Sequence, residues 1–531
     1  MTAADLTPPT LIRPENRALP LLTLADLRIA EAQAAATLPA HTLMDRAGKA
    51  AASFLFDQIA RDTSTEKSRQ RVWLCAGPGN NGGDALILAA ELHKAGIAVD
   101  VCMPVEVKPD DARWALDTAR AAGVAITQAP PTSLDGYTWL VDGMFGIGLT
   151  RALEGAFADL ARRLSQRART RARSGGVLAL DVPSGLDSDT GAIVGAVGTR
   201  DAVVRATHTI TFIAGKPGLF TAQGRDLAGA VTVAPIGVDS TARDSIRLNA
   251  AELFAGFLPP RDFATNKGTF GSLAVVGGDT GMCGAPILAA RAALFSGAGK
   301  VHVALLGAGG PPYDPPHPEL MLHGVDALPL DKMDALAVGC GMGHGERAAR
   351  VLHDVLQLDV PKLFDADALN LISKDAALAA AVTARGTAGD PCVLTPHPLE
   401  AARLLGTEAA GVQRDRLSAA RALAARFASV VVLKGSGTVV AAADGRLTIN
   451  PTGNAALATG GTGDVLGGII GALLAQRLPG YEAALAGVYL HGLAADTLSA
   501  QGHGPAGLTA GELAPMVRTL LNRMFYPAAQ A

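Results

Sequence analysis

Short runs of apolar, β-branched residues alternate with alanine- and leucine-rich stretches of helical period along the whole chain. In the first half, these runs predict strands at residues 72–76, 98–103, 139–142, 177–181 and 207–214. Apolar residues at helical spacing predict helices between them, over residues 84–95, 110–122 and 153–169. Alternation of this kind predicts βαβ units and a mostly parallel sheet.

The alternation weakens over residues 239–266, which mix Asp and Arg with Pro259 and Pro260, and then starts again. This stretch predicts a boundary between two α/β domains, 1–240 and 250–531. In the second half, strands are predicted at residues 272–276, 301–304, 335–338, 361–364, 392–395 and 430–433. Residues 439–443 and 447–450 flank Ala-Asp-Gly-Arg and predict a hairpin. Long helices are predicted over residues 463–475 and 481–499.

Composition excludes several classes of protein. The chain has 531 residues, with 46 Lys+Arg against 49 Asp+Glu, so it lacks the basic excess that binding along a nucleic acid requires. The longest apolar run, residues 465–475, is about half of a membrane span, so no membrane association is expected. Five scattered cysteines without a CxxC pair indicate reduced thiols. The N-terminal sequence MTAADLTPPT does not resemble a secretory signal, and we expect a cytoplasmic protein.

The densest motif is GPGNNGGDA, residues 77–85, which follows a predicted strand and opens a helix. Glycines there let the backbone approach an anion, but a dinucleotide fingerprint also needs an acidic residue ending the second strand. Asp100 precedes the end of that strand and lies too early for this role. The two asparagines and Asp84 can supply oxygens to a cation or hydrogen bonds to a polar ligand. The alternative is a glycine turn capped by Asp84.

Two further predicted strands end in polar residues. VDGMFGIGLTR places Asp142 at the end of one strand, and DVPSGLDSDTG places Asp181 at the end of another. Ligands in open α/β sheets bind beyond the C-terminal ends of the strands, so these ends predict one site. Either aspartate alone could instead cap a turn.

These three motifs together resemble those of the NAD(P)H-hydrate epimerase family, which has a Rossmann-like three-layer αβα fold. The family interconverts the R and S forms of hydrated NADH and NADPH. The resemblance implies that Asn81, Asp142 and Ser184 bind K+ and that Asp181 is catalytic. It also implies a hydrate site formed by Asp181 with Asn80, Asn81, Gly82, Gly83, Asp84, Gly146, Ile147, Gly148, Leu149, Thr150, Arg151 and Ala152. Ala85 departs from the family, which commonly has glycine there; its methyl would narrow the site slightly.

The second half carries its own strand-end motifs. Glycine turns follow two predicted strands, at residues 277–284 and 338–343, and His397 lies between two prolines after a third. The sequences LKGSGTVV and GGTGD are more specific, because a lysine loop precedes a glycine turn that opens a helix. Successive N–H groups at such a helix start stabilise a phosphoryl group, and Asp464 could accept a proton from a hydroxyl. Alternatively, Asp464 only complements the helix dipole, and His397 only stabilises its turn.

KGTFG, TPHPLEA, LKGSGTVV and GGTGD resemble the ADP/ATP-dependent NAD(P)H-hydrate dehydratases, which have a ribokinase-like αβα fold. The resemblance implies hydrate contacts at Ala285, Gly343, His397 and Asp464, with Asp464 catalytic. It implies nucleotide contacts at Lys434, Gly435, Ser436, Gly437, Thr438 and Gly463. Cys340-Gly341-Met342 departs from the Pro-Gly-Leu that the family typically shows, which changes the stiffness of that turn.

The two resemblances cover nearly the whole chain and imply a bifunctional repair enzyme. One domain would epimerise the hydrates NADHX and NADPHX, and the other would dehydrate the S form using ADP, giving AMP and phosphate. Phosphoryl transfer needs charge neutralisation, so Mg2+ is expected with ADP or ATP. A homo-oligomer is also expected. A vitamin or sugar kinase of the ribokinase superfamily with an accessory domain is the alternative. A binding protein without activity is disfavoured by the intact Asp181 and Asp464.

Overall fold

A computed structural model describes residues 10–14, 16–62, 66, 69–170, 175–195, 202–239 and 246–526. The chain forms two compact units. Unit 1 comprises Met1–Glu15 and Leu19–Ile246, and unit 2 comprises Asn16–Ala18 and Arg247–Ala531. The division falls inside the stretch where the sequence pattern weakens. Residues 1–9, which carry the expectation about a secretory signal, lie outside the described residues.

In its described part, unit 1 is built on a parallel sheet of seven strands with the order β3-β2-β1-β4-β5-β6-β7. The strands are β1 (Arg71–Ala76), β2 (Ala98–Cys102), β3 (Ala125–Thr127), β4 (Trp139–Gly143), β5 (Gly176–Leu180), β6 (His208–Phe212) and β7 (Ala230–Ala234). The helices are α1 (Leu24–Ala35), α2 (Thr42–Arg61), α3 (Asn80–Lys94), α4 (Asp110–Ala121), α5 (Gly155–Arg169) and α6 (Gly224–Leu227). This strand order and the parallel pairing confirm the Rossmann-like prediction.

Strand β1 shows why the sheet has helices on both faces. Val72 and Leu74 pack into one apolar cluster with α2, α3 and α4. Trp73 and Cys75 point the other way and pack with α5. Both faces of a central parallel strand are therefore buried, which is why its sequence is a continuous apolar run. The five predicted strands and three predicted helices are confirmed, whereas α1, α2, β3 and β7 were not predicted.

In its described part, unit 2 contains a sheet of ten strands with the order β11-β10-β9-β12-β13-β14-β15-β16-β17-β8. The strands are β8 (Ile246–Leu248), β9 (Ser272–Gly277), β10 (Lys300–Leu305), β11 (Met321–Gly324), β12 (Ala335–Val338), β13 (Lys362–Phe364), β14 (Val393–Leu394), β15 (Val430–Leu433), β16 (Val439–Ala441) and β17 (Leu447–Ile449). Strands β9 to β15 pair in parallel, and β15, β16 and β17 pair antiparallel. The predicted hairpin is thus confirmed, and so are the six other predicted strands.

The helices of unit 2 are α7 (Gly284–Phe295), α8 (Glu346–Gln357), α9 (Ala366–Lys374), α10 (Ala376–Thr387), α11 (Pro398–Leu405), α12 (Ala409–Arg414), α13 (Arg416–Phe427), α14 (Thr462–Ala475), α15 (Gly480–Ala500) and α16 (Ala510–Phe525). Helices α7, α14, α15 and α16 share one apolar cluster with the central strands. Within the described residues, no helix is long and apolar enough to cross a membrane. All five cysteines are free, as predicted.

Candidate functional site

In each sheet, the order of the strands reverses at one point, and the candidate catalytic aspartates lie close to that point. The order reverses between β1 and β4 in unit 1 and between β9 and β12 in unit 2. At such a reversal, the loops after the two strands diverge to opposite faces and leave a crevice at the C-terminal edge. The described residues therefore contain two separate crevices, one in each unit, and each is built from its own loops.

The turn from β1 into α3 can only be built with glycine. A Cβ on Gly77 would lie 1.7 Å from the Met144 carbonyl oxygen, and one on Gly82 would lie 2.0 Å from the Gly77 oxygen. This close approach brings Asn81 and Asp84 to the crevice. Burial, followed by the nearby Asp181 and Glu31 carboxylates, raises the pKa of Asp84 well above its usual range. Both amide atoms of Asn81 are buried without a hydrogen-bond partner among the described residues.

Asp142, at the end of β4, is fully buried and holds the loop that follows β5. Its Oδ2 accepts the Ser184 N–H at 2.8 Å, and its Oδ1 accepts the Ser184 hydroxyl at 2.7 Å. Burial raises the pKa of Asp142 to about 6, although these hydrogen bonds and one from the Met144 N–H oppose the shift. A buried carboxylate of this kind would be stabilised by a cation.

Asp181 follows β5 with a left-handed backbone, φ +66°, which is an uncommon conformation for a residue other than glycine. Its carboxylate lies 2.6 Å from the Lys216 ammonium, which is almost completely buried and also donates to the Phe212 carbonyl at 2.7 Å. On the open side, a Cβ on Gly146 would lie 3.0 Å from Asp181 Oδ2 and 3.4 Å from Asn81 Oδ1. Gly146 therefore leaves a space bordered by both groups.

The remaining residues of the predicted hydrate loop lie in different environments. The Ile147 N–H points toward Asp181 Oδ2 at 3.4 Å, whereas Leu149 packs in the apolar cluster of α5. Thr150 and Arg151 are exposed. Among the described residues, no hydrogen bond joins either of them to Asp181.

Two residues near Asp181 were missed by the sequence reasoning. Lys216 lies in the loop after β6, so the strand-end rule that found Asp142 and Asp181 could have found it as well. Glu31 lies on α1, which carries no recognised motif. Burial and the nearby Asp181 raise the pKa of Glu31, while Lys216 and Arg28 lower it.

In unit 2, Lys434 forms an ion pair with Asp365, which follows β13. The Lys434 ammonium lies 2.6 Å from Asp365 Oδ1, and the Asp365 side chain is almost fully buried. Burial opposes the charge of Lys434, but Asp365 and Glu400 together raise its pKa. A Cβ on Gly463 would lie 3.5 Å from the Lys434 nitrogen, so this ammonium lies at the start of α14. Asp365 was not predicted as a site residue.

Asp464 occupies the first turn of α14, and the left-handed Gly461 precedes this helix. Burial raises the pKa of Asp464, the Cys340 thiol lowers it by donating a hydrogen bond, and the Asp365 carboxylate raises it again. The sequence departure at Cys340 therefore places a buried thiol against the proposed catalytic carboxylate. Gly463 and Asp464 adjoin Lys434 and Asp365, as a phosphoryl-transfer site requires.

His397 has a structural role at the start of α11. Its Nδ1 accepts the N–H groups of Leu399 and Glu400 at 3.1 and 3.4 Å. The Glu400 carboxylate accepts the His397 N–H at 2.8 Å, which completes a capping box. These contacts account for a histidine at this position even without a bound ligand. The contact of His397 with the hydrate therefore stays a prediction.

The loops around Asp464 are tightly constrained. The Gly343 N–H donates to Asp367 Oδ2 at 2.9 Å, and a Cβ on Gly341 would lie 3.5 Å from that of Ala285. Below the loop from Lys434 to Thr438, the buried Arg416 guanidinium donates to the Leu433 and Lys434 carbonyls at 3.1 and 3.2 Å. Gly435 has φ +136°, and a Cβ there would lie 2.8 Å from that guanidinium. Arg416 thus fixes the predicted nucleotide loop.

Two crevices, each with an aspartate and a lysine–carboxylate ion pair, define a two-unit α/β enzyme. A family model described as "YjeF-related protein N-terminus" matches residues 40–218, and one described as "NAD(P)H-hydrate dehydratase" matches residues 273–517. A bifunctional NAD(P)H-hydrate repair enzyme of Escherichia coli is 38% identical over 508 residues, which cover 94% of this chain and 93% of the relative. The chain belongs to the family of bifunctional NAD(P)H-hydrate repair enzymes.

Two further relatives match the second half. An ADP-dependent (S)-NAD(P)H-hydrate dehydratase of Neisseria meningitidis is 48% identical over 288 residues, covering 52% of this chain and 94% of the relative. The crystal structure of an ADP/ATP-dependent NAD(P)H-hydrate dehydratase of Bacillus subtilis, co-crystallised with ATP/Mg2+, is 31% identical. It covers 52% of this chain and 97% of that chain, with a TM-score of 0.44. The family membership confirms the predicted pairing of an epimerase unit with a dehydratase unit and does not support the vitamin kinase alternative.

Proposed function

We propose that Asp181 and Asp464 are the catalytic groups of two separate reactions on hydrated NADH and NADPH. The observation that carries this proposal is the position of each carboxylate at the crevice of its own sheet, next to a lysine. A carboxylate that faces a cation and an open space can exchange a proton with a bound hydroxyl.

In unit 1, epimerisation needs a proton for the hydroxyl that leaves the nicotinamide ring as water. It then needs a proton acceptor when water adds to the other face of the ring. Asp181 can supply and recover that proton, and Lys216 holds its carboxylate in place. The space at Gly146, between Asn81 and Asp181, is where the hydrated ring would bind.

The donor set of Asn81, Asp142 and Ser184 fits a potassium ion. It combines one carboxylate with neutral oxygens, which suits a weakly hydrated monovalent ion better than a divalent one. The unpartnered amide of Asn81 and the buried charge of Asp142 support this proposal. The described residues contain no group of three or more His, Cys, Asp or Glu side chains arranged for another metal. The ion would neutralise Asp142 and so hold the Ser184 loop beside Asp181.

In unit 2, the S hydrate would be phosphorylated on its hydroxyl by ADP, which leaves as AMP. Asp464 would accept the hydroxyl proton, while the N–H groups at the start of α14 and the Lys434 ammonium stabilise the transferred phosphoryl group. Phosphate would then leave, and loss of a proton from the neighbouring ring carbon would restore the ring double bond. Residues Lys434 to Thr438 would bind the nucleotide, with Mg2+ neutralising its phosphates. ATP could replace ADP in the same site.

The proposal also includes a homo-oligomer in the cytoplasm. The Phe263 side chain is fully exposed, and a partner surface would remove it from water.

The test is to incubate the purified protein with both hydrate epimers, ADP, Mg2+ and K+. We expect full recovery of reduced-nicotinamide absorbance, with one phosphate and one AMP released for each NAD(P)H. A vitamin or sugar kinase would leave the hydrates unchanged and would instead release a stable phosphorylated product from its own substrate. Recovery of only the S epimer would show that unit 1 does not epimerise.

A further inference from the structure

Helix α1 forms a wall of the crevice in unit 1, although it lies outside the residues that match the family model. Its buried residues Leu27 and Ala30 pack with Ile213 and Ala214, just before Lys216. Ile147, in the predicted hydrate loop, packs against the same cluster. Leu22, which lies just before α1, donates its N–H to the Gly215 carbonyl at 2.9 Å. The exposed side of α1 therefore borders the mouth of the crevice.

Arg28 projects from this helix toward the hydrate loop. A Cβ on Gly148 would lie 3.6 Å from the Arg28 guanidinium, so the side chain lies against the glycine backbone. Arg28 is exposed, and the described residues give it no hydrogen bond or ion pair. Arg151, three residues beyond Gly148, is also exposed and without such a partner among the described residues. The mouth thus holds Arg28, whose charge also acts on Glu31 of the same helix and whose donors are available to a ligand.

The interior of the crevice suits a phosphate group less well than its mouth does. Asp84, Asp142 and Asp181 are buried there, and the buried Lys216 already forms an ion pair with Asp181. Hydrated NADH carries a pyrophosphate, and hydrated NADPH carries a further phosphate. In the interior, these groups would have to compete with Asp181 for Lys216, whereas Arg28 at the mouth can attract them directly. The charges therefore favour binding with the nicotinamide ring inside and the phosphates outside.

We propose that Arg28 binds a phosphate group of the dinucleotide hydrate at the mouth of the epimerase site. The proposal rests on the proposed function of that site. Arginine suits this role because its planar group of donors matches two phosphate oxygens. Arg28 is a binding residue here, since it lies at the rim and not beside Asp181.

The test compares Arg28→Ala and Arg28→Lys with Arg61→Ala, which removes an exposed arginine at the end of α2. Epimerisation rates are measured with the hydrates of NADH, NADPH and reduced nicotinamide riboside, which has no phosphate. We expect Arg28→Ala to raise the KM of the dinucleotide hydrates about ten-fold or more, because a charged hydrogen bond is lost, and to leave kcat within two-fold. Arg28→Lys should recover part of this loss, and Arg61→Ala should behave as the parent.

The substrates distinguish the two sources of phosphate. An equal effect on both dinucleotide hydrates identifies the pyrophosphate, and an effect on the NADPH hydrate alone identifies its additional phosphate. A KM within two-fold of the parent for both hydrates would overturn the proposal, as would an equal loss with the riboside hydrate. If Asp181→Asn is inactive while Arg28→Ala is normal, the epimerase site stands and the role of Arg28 is wrong.

Discussion

At the scale of single residues, both crevices contain a lysine ammonium 2.6 Å from a carboxylate, but the two pairs differ in composition. In unit 1, the carboxylate is the proposed catalytic Asp181. In unit 2, Lys434 is paired with Asp365, and the proposed catalytic Asp464 is a third group. Asp181 and Asp464 could be predicted from motifs, because each stands in a distinctive local sequence. The strand-end rule could have placed Lys216 at the site, but its pairing with Asp181, like the pairing of Lys434 with Asp365, arises across the fold and could not be predicted.

The potassium proposal leads to a prediction about Asp142. Asp142→Ala removes the buried charge, so epimerisation should slow and lose its dependence on potassium. The rate of epimer exchange is measured in potassium chloride and in choline chloride at equal ionic strength. Asp142→Asn serves as the matched variant, since it keeps an oxygen that can accept the Ser184 N–H. Equal rates of the parent protein in both salts would contradict the proposal.

Glu400 provides a pH prediction. Burial raises its pKa to about 7, and the nearby Asp365 adds to this shift, while Lys434 and the His397 N–H oppose it. A raised pKa in the folded protein stabilises unit 2 at low pH, and this contribution is lost as pH rises from about 4.5 through about 7. Between pH 5 and 8, the parent should therefore lose on the order of 2–3 kcal/mol relative to Glu400→Gln.

All three tryptophans lie in unit 1: Trp73, Trp114 and Trp139. Tryptophan fluorescence therefore reports the unfolding of unit 1 alone. Circular dichroism follows denaturant unfolding of both units, so a transition seen only by circular dichroism belongs to unit 2. The same pH dependence in Glu400→Gln and in the parent would show that Glu400 does not titrate in this range.

At the scale of elements, the central strands and helices α14 and α15 were predicted because their apolar runs are continuous, whereas the similarly long α2 and α16 were missed. Of the missed strands, β3, β8 and β11 are short, with three or four residues each, so their periodicity carries too little signal; β7, with five residues, was missed as well. Helix α1 was missed because its buried residues are only Leu27 and Ala30. The packing of α14 against α7 could not be predicted either, because it depends on a close approach of two backbones.

Substitutions of two glycines in α14 test the packing of this helix and its role in the dehydratase reaction separately. A Cβ on Gly468 would lie 1.9 Å from the Ala289 carbonyl oxygen of α7, so Gly468→Ala should force the helices apart and destabilise unit 2. A Cβ on Gly463 would lie 3.5 Å from the Lys434 nitrogen, an ordinary contact, so Gly463→Ala should fold normally. Its methyl would enter the proposed phosphoryl site and lower the dehydratase rate about ten-fold or more.

Circular dichroism melting and dehydratase rates of the two variants provide the measurement. A parent-like melting profile for Gly468→Ala would contradict the packing argument. A parent-like rate for Gly463→Ala would instead show that the phosphoryl group binds elsewhere.

At the scale of the whole molecule, each unit has its own sheet, core and crevice, so the two chemistries should respond to separate substitutions. Asp464→Asn keeps the size of the side chain but cannot accept the proton, and loss of a positioned base typically slows a reaction about 10²–10⁴-fold. We expect this variant to equilibrate the epimers without restoring NAD(P)H. Asp181→Asn should repair the S hydrate at the parent rate and leave the R hydrate, apart from slow spontaneous epimerisation.

Chromatographic separation of the epimers after each incubation decides between these outcomes. Dehydration by Asp464→Asn within a few-fold of the parent would show that Asp464 is not the base. Loss of both activities in either folded variant would show that the two sites are not independent.

The segment Asn16–Ala18 belongs to unit 2, whereas the chain on both sides of it belongs to unit 1. The Tyr489 hydroxyl donates to the Asn16 side chain, and the Ala18 N–H donates to Glu252 at 2.5 Å. A gene split after codon 246 would therefore deprive the dehydratase of part of its own surface. Evolution could join two free-standing enzymes by a simple fusion, but this crossing makes the reverse step costly for the dehydratase half, because that half would lose the contacts that Asn16 and Ala18 make with Tyr489 and Glu252.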